Sequence, residues 1–543
     1  MLDPASTQQV LAARCDWLKA KHSAERSAVK AVAVELHRSQ VVSQTIEKMA
    51  EQLDRLLSPP QSSTDRKSST PAAVAAATRR SSQMKARSRN LFTAFVFERL
   101  SSCAIANGEV ADHHQGNFDE KLKLECESEI FDPLLPIYSG EMASPSPSIV
   151  KRLTPLIHDA RVFETTVDDG SGGKVPAAEK IQQAAESFAI EVAKLCRSGA
   201  EEVRRGPMIP FAPSQLLVTL REVEAEILGT PAAMTHRPSD PQNGSDEKMI
   251  EVKAGRYAHR IWKRYLIKLK SFYDRSVVEA AKFNSIDDEQ VTNFDISTLQ
   301  SDEEFKQRLF ILLQRYFALT GCSDDQEGDS GWHGSLPPQF MGALKERMGL
   351  DCECFASPLN AALPFFCSAF PDSDCFFGSL GSFFDQDFAE GCYEANPPFE
   401  HTVALRMANH MLDLLRQADR NVLPLSFVIV FPSADEGRQL KSAEELLHKI
   451  RKEELSEYLA DDRLVSSQEA PYVSGLAQSV SNDKRYFAVR LDTQLLVLQS
   501  KKAREMVPDV QSRIASIVAI WGLDKGLLQK SSAAGGRKRP REE

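Results

Sequence analysis

No stretch of this sequence stays apolar for the ~20 residues that a membrane-crossing helix needs. The N-terminus lacks the basic-then-apolar shape of a secretory leader, so none is expected. Paired cysteines are also missing. The ten cysteines are scattered, none in a Cys-x-x-Cys pair, and no histidine pair lies near the cluster Cys352, Cys354, Cys367, Cys375 and Cys392. A disulfide scaffold and a zinc site are therefore not expected. Buried thiols in a reducing compartment are. An excess of positive charge is lacking as well: 66 Lys and Arg against 76 Asp and Glu give a net charge of -10. That argues against binding nucleic acid through bulk charge but leaves room for a local basic groove.

Positive charge is present in clusters. Arg66, Lys67, Arg79, Arg80, Lys85, Arg87 and Arg89 form one run without an intervening acid. Arg256 to Lys270 is a second basic stretch, and Arg537-Lys538-Arg539-Pro540-Arg541 a third. The third reads as a nuclear import signal, which makes the nucleus the expected location, with a merely solvated tail as the rival reading.

At 543 residues the chain is too long for one core. Helical spacing over Leu11–Leu57 predicts an N-terminal helical segment, residues 1–58, stopped by Pro59-Pro60. Residues 59–90 are rich in Ser, Ala and basic side chains and read as a linker without fixed structure. Residues 91–330 read as a helical domain. Within it, Tyr257, Ile261, Trp262, Tyr265, Leu266, Leu269 and Tyr273 predict an amphipathic helix with a basic opposite face. On that face Arg256 and Arg260 are candidate RNA contacts, with a merely solvated face as the rival reading.

Residues 331–500 differ. Apolar runs at Cys352–Ala356, Leu425–Phe431, Tyr486–Val489 and Leu495–Leu498 predict strands. They alternate with expected helices at Met341–Met348, Leu359–Phe366 and Phe399–Leu415. This alternation predicts an α/β domain with a mostly parallel sheet, whose ligands bind beyond the C-terminal strand ends. Residues 501–543 read as a helix and a basic tail.

Asn396-Pro397-Pro398-Phe399 stands where such a strand would end and a helix begin. An exocyclic adenine amine is a poor nucleophile, because its lone pair is delocalised into the ring. The Asn396 side-chain oxygen can accept one amine hydrogen and the Pro397 carbonyl the other, aiming the nitrogen at an electrophile. The prolines fix the backbone, and Phe399 offers a face on which an unstacked base can rest. Upstream, Phe355-Ala356-Ser357-Pro358-Leu359-Asn360 follows a predicted strand as a cofactor turn would, without the usual glycines. Asp374, or Asp372, could accept hydrogen bonds from ribose hydroxyls in the loop that reaches Gly378-Ser379, with turn capping as the rival reading.

Taken together, Gly334-Ser335-Leu336-Pro337, Glu353–Asn360, Cys367–Asp372, Phe377-Gly378-Ser379, Glu394–Phe399 and Pro424–Phe427 resemble the phosphorylated-CTD-interacting factor family, cap-specific adenosine N6-methyltransferases. The resemblance covers roughly residues 250–500. It implies a Rossmann-like class I methyltransferase domain preceded by a mainly helical one, with S-adenosyl-L-methionine as donor. It implies as substrate a capped RNA starting with adenosine, often already 2′-O-methylated. By position, Asn396, Pro397, Pro398 and Phe399 are the catalytic and base-holding group. Phe355, Ala356, Ser357, Pro358, Asn360, Asp374, Gly378 and Asn396 lie near the cofactor, and His401 and Phe399 are candidate substrate contacts. The sequence departs from the family at three places. Trp17, Trp262, Trp332 and Trp521 cannot make the family's WW module, so binding of the phosphorylated RNA polymerase II tail is not expected. Ala434 replaces a substrate-facing tryptophan. Glu400-His401 replaces an acid placed two residues after the Phe. Adenine in DNA, another RNA position, or a non-catalytic scaffold of RNA processing remain the alternative readings.

Overall fold

The computed structural model describes residues 4–25, 28–58, 71–103, 132–136, 145–160, 166–168, 174–207, 211–223, 248–274, 295–321, 334–433, 441–475, 477–479, 486–488 and 491–523. Two compact units are present: Ala33–Phe211 with Gln314–Ser330, and Met1–Val32 with Ala212–Leu313 and Gly331–Glu543. Residues 91–330, expected as one helical domain, divide between them.

In the unit containing residues 33–211, the helices Pro71–Cys103, Pro147–Asp159 and Ala177–Arg205 accompany most of Ala28–Leu56 and a small hairpin, β1 (Thr166–Asp168) with β2 (Lys174–Pro176). Burial follows helical periodicity, as at Ile149, Leu153 and Ile157. The core also holds charge. Glu35 accepts hydrogen bonds from Arg315 (2.8 Å) and from Arg38, and Arg38 Nε donates to Asp132 (2.8 Å). The helix Pro71–Cys103 corrects the expected linker over its second half: the alanines of 72–77 favour helix, and Met84 is buried. Residues 59–70 lie outside the described residues.

The other unit carries two sheets. The smaller is an antiparallel meander of β3 (Val218–Val223), β4 (Met249–Ala254) and β5 (Tyr257–Trp262). The helix expected over 257–273 therefore begins only at Lys263 and runs to Asp274. Gly255, at φ +55°, turns the chain between β4 and β5. His259 and Ile261 then bury with a period of two, not 3.6.

The larger sheet is the α/β element. Its strands are β6 (Leu350–Glu353), β7 (Gly391–Ala395), β8 (Leu425–Pro432), β9 (Leu459–Val465) and β12 (Thr493–Gln499), in the order β6-β7-β8-β12-β9. Strands β6, β7 and β8 are parallel, and β12 runs antiparallel to both β8 and β9. Single parallel bridges, Glu353 to Phe366 and Phe366 to Ser379, extend the pairing beyond β6. A further hairpin joins β10 (Pro471–Val473) and β11 (Tyr486–Ala488). All eight residues of β8 are buried, as its continuous run of β-formers requires. One sheet face, with Cys392, Val428, Val430, Leu495 and Val497, packs on Phe340, Leu344, Ile514, Ile517 and Trp521 of the helices Pro338–Met348 and Val510–Leu523. The expected helix Leu359–Phe366 is absent: residues 358–360 form a turn, followed by bends. Pro358 and Pro364 interrupt it, and the Glu353 carboxylate draws the Ala362 and Leu363 amides to itself (2.7 and 2.6 Å).

Candidate active site

Because β6, β7 and β8 are parallel, their C-terminal ends share one edge of the sheet. Glu353 pairs with Glu394 and Ala395 with Ile429, so the turn after β6, the tetrapeptide after β7 and the exit of β8 emerge side by side. The Cys354 amide donates to the Glu394 carbonyl (2.7 Å), tying the first two together.

The geometry of the tetrapeptide follows from its hydrogen bonds. Asn396 Nδ2 donates to the Gly334 carbonyl (3.0 Å). A carbonyl can only accept, so the amide nitrogen must face Gly334, and Oδ1 points elsewhere. Glu400 N donates to the Pro398 carbonyl (2.6 Å), while the Glu400 carboxylate caps the helix His401–Asn421 by accepting from Val403 N (3.0 Å). The Pro397 carbonyl and Asn396 Oδ1 accept none of the hydrogen bonds among the described residues. Phe399, half-buried, stands edge-on to Phe431 at the end of β8 (centroids 5.4 Å apart, 74° between planes). Two acceptors with a ring beside them can receive the two hydrogens of a planar amine and the face of its heterocycle.

The turn after β6 is clamped from both sides. Asn360 Oδ1 accepts from Ser357 N (2.7 Å) and Ser357 Oγ (2.9 Å). Lys268, buried at 7% exposure in the helix Lys263–Asp274, donates to the carbonyls of Leu359 (3.3 Å) and Ala361 (2.6 Å). Glu353 holds the following amides. Burial pushes the Glu353 carboxyl up to about 7, opposed by the Leu363 and Ala362 amides and the Lys268 ammonium. Its neighbour Glu394 is also held well above the usual carboxylate range, by burial and then by the Glu353 charge, and its Oε1 has no hydrogen-bond partner among the described residues. The neutral acid is the form that such burial favours. Phe355 and Ala356 remain half-buried at the rim, and Phe355 meets Phe383 and Phe384 (5.2 and 5.9 Å).

The remaining expected site residues are placed less favourably. Asp374 is fully buried and accepts from Ser373 Oγ (2.8 Å) within its turn. Gly378, at φ +101°, closes the same turn. His401 opens the helix after the tetrapeptide with Nε2 3.1 Å from Glu445. Arg256 and Arg260 lie on the small sheet, against Tyr257 (3.1 Å from its hydroxyl) and Glu251 (4.0 Å), rather than on the edge that carries Asn396. Ala434 lies outside the described residues. The cysteines of the cluster are buried free thiols, and among the described residues no group of three or more His, Cys, Asp or Glu could hold a metal. No helix among them is long and apolar enough to cross a membrane.

Sequence reasoning missed Gly334, Lys268, Glu353 and Glu394. Only Glu394, an acid inside an apolar strand that leads into the tetrapeptide, carried a signal that could have been read.

Fold and site define a mixed α/β protein with an amine-sized acceptor station at the C-terminal edge of parallel strands. Residues 279–475 match the family model described as "Phosphorylated CTD interacting factor 1 WW domain". Two relatives, from Homo sapiens and Mus musculus, are each named "mRNA (2'-O-methyladenosine-N(6)-)-methyltransferase" and are 33% identical over 198 residues. That match takes in 36% of this chain and 26% of each relative, about a quarter of their length. Over this segment the chain is similar to the phosphorylated CTD interacting factor family. The matched residues contain one tryptophan, Trp332, and include strands β6 to β10.

Proposed function

We propose that the chain transfers a methyl group from S-adenosyl-L-methionine to the N6 amine of adenosine in RNA, at the first transcribed, 2′-O-methylated adenosine beside the mRNA cap. The observation that carries this reading is the Asn396 amide, turned by Gly334 so that Oδ1 and the Pro397 carbonyl are both unengaged beside Phe399. Relatives with this activity in their names support the substrate class. The sheet supports a Rossmann-like reading. Counting the two bridge positions as strands and numbering along the chain, the order is 3-2-1-4-5-7-6, the Rossmann order with its last strand inserted antiparallel.

The residues fit the donor by their chemistry. Phe355 and Ala356 offer a flat, uncrowded rim at the end of β6, and the clamped turn 357–361 holds that rim in place. When bound, the donor supplies an electrophilic methyl group. Asn396 Oδ1 and the Pro397 carbonyl each accept one N6 hydrogen, which favours the pyramidal nitrogen of the transition state and fixes its direction. Phe399 holds the base by stacking. The proton leaves an amine made acidic by methylation, so no strong base is needed. We place this activity in the nucleus, through the basic tail 537–541, which lies outside the described residues.

Purified protein, labelled S-adenosyl-L-methionine and a capped RNA beginning with 2′-O-methyladenosine should yield labelled N6-methyladenosine. Equal labelling of uncapped RNA would move the substrate to another adenosine. No labelling of any adenine substrate would overturn the proposal.

A further inference from the structure

Beside the candidate site lies a cationic and aromatic patch that the reaction as described does not use. The helix Pro4–Glu25 buries Leu11, Cys15 and Leu18; Cys15 Sγ approaches the Cys375 carbonyl (3.6 Å), and Leu18 lies over Gly381. At helical spacing beside that face it carries Arg14, Trp17 and Lys21. Trp17 is 52% exposed, and Arg14 and Lys21 stand 4.9 and 5.4 Å from its ring centroid. Arg14 Nε is buried and has no hydrogen-bond partner among the described residues. Three cations, Arg14, Arg406 and Lys21, act on the carboxylate of Asp385.

The patch runs on into the candidate site. Arg406 stands in the second turn of the helix that follows Phe399 and stacks 4.7 Å over Phe384, which meets Phe355 at the end of β6. Cations gathered around an exposed indole suit a single strand, whose phosphates need countercharge and whose bases all have a stacking face. A phosphorylated peptide would also satisfy the cations. Continuity with the residues around the acceptor station favours the strand that carries the target base.

We infer that Arg14, Trp17, Lys21 and Arg406 bind the single-stranded RNA flanking the modified adenosine, one base on the Trp17 indole and the backbone among the three cations. The inference rests on the proposed reading of the site for its choice of RNA.

The test uses the full chain and a fluorescently labelled, capped 12-nucleotide RNA in anisotropy titrations over a range of salt. Trp17→Ala should weaken binding about tenfold, the effect of losing one stacked base. Arg14→Gln with Lys21→Gln should flatten the dependence of log Kd on log salt by about 0.7 for each phosphate that is no longer neutralised. S-adenosylhomocysteine binding, followed by calorimetry, should be unchanged in both variants. Wild-type affinity and salt slope in both would overturn the inference, as would a wild-type chain that binds no RNA. Loss of binding to a phosphorylated Ser-Pro peptide with RNA binding intact would overturn it too. An active wild type with an indifferent patch defeats this inference alone, whereas RNA held by the patch without methyl transfer defeats only the proposed reaction.

Discussion

Replacing Lys268 with Met should destabilise the protein by an amount that grows with pH. The wild-type ammonium is buried and donates to the Leu359 and Ala361 carbonyls. Hydrogen bonds from charged groups contribute ~1.5–3 kcal/mol each. Methionine fills similar space and removes the desolvation cost of the buried charge, so a net loss of about 2 kcal/mol is expected near pH 5. There Glu353, pushed up to about 7, is protonated. A carboxyl raised in the folded state holds its proton where the unfolded chain has lost it. Stability therefore falls as pH climbs from the ordinary carboxylate range toward 7. Lys268 opposes that rise, so without it the folded value climbs further and the fall continues above pH 7. At pH 8 the variant should lose roughly 1–2 kcal/mol more, the equivalent of about one pKa unit. At about 2 °C per kcal/mol, Tm should drop by about 4 °C at pH 5 and about 6–8 °C at pH 8 in thermal unfolding. A Tm difference independent of pH would refute the coupling, and wild-type Tm at both values would refute the clamp.

Glu394→Gln replaces a carboxyl held in its neutral form by an uncharged isostere, so Tm at pH 4, where the unfolded chain is protonated too, should stay within about 2 °C of wild type, equivalent to about 1 kcal/mol. The variant should gain on wild type as pH rises, because Gln cannot ionise; a wild type that gains stability toward pH 9 would contradict this. Glu35→Ala removes the buried carboxylate that accepts from Arg315 and Arg38 and should cost about 3–5 kcal/mol in urea unfolding; a cost below about 1 kcal/mol would show that solvent reaches them. Gly391→Ala forces a side chain into φ +117° and brings its Cβ to 2.7 Å from Asp351 Oδ2. It should cost at least about 1–3 kcal/mol, read as a lower urea midpoint.

Residues whose local chemistry and tertiary setting agreed were legible in the sequence. Leu425–Phe431 is a strand within one residue of its expected limits, because β-formers buried on both faces admit little else. Asn396–Phe399 falls between a strand and a helix as expected, since the prolines and the Glu400 cap permit no continuation of either element. Two misreadings share a cause. The spacing of Tyr257, Ile261 and Trp262 fits a helix as well as a strand, and only Gly255 and pairing with β4 select the strand. Leu359–Phe366 has helical composition, yet Glu353, at the end of the preceding strand, captures the Ala362 and Leu363 amides. Lys268 was read as part of a basic face, but long-range packing turns it inward onto carbonyls 91 and 93 residues away. The Gly334 carbonyl that orients Asn396 lies 62 residues upstream and has no side chain to announce it.

In the proposed reaction Asn396 grips the N6 amine. The most direct test of that grip is mass-spectrometric identification of the nucleoside made from capped, A-starting RNA by wild type and by Asn396→Ala, with S-adenosylhomocysteine affinity measured on both. Wild type should give N6-methyladenosine at the first transcribed position. The rate should be lower by at least about 100-fold in the variant, with cofactor affinity retained. A variant that methylates at the wild-type rate, or a wild type that modifies a different atom, would contradict this role of Asn396.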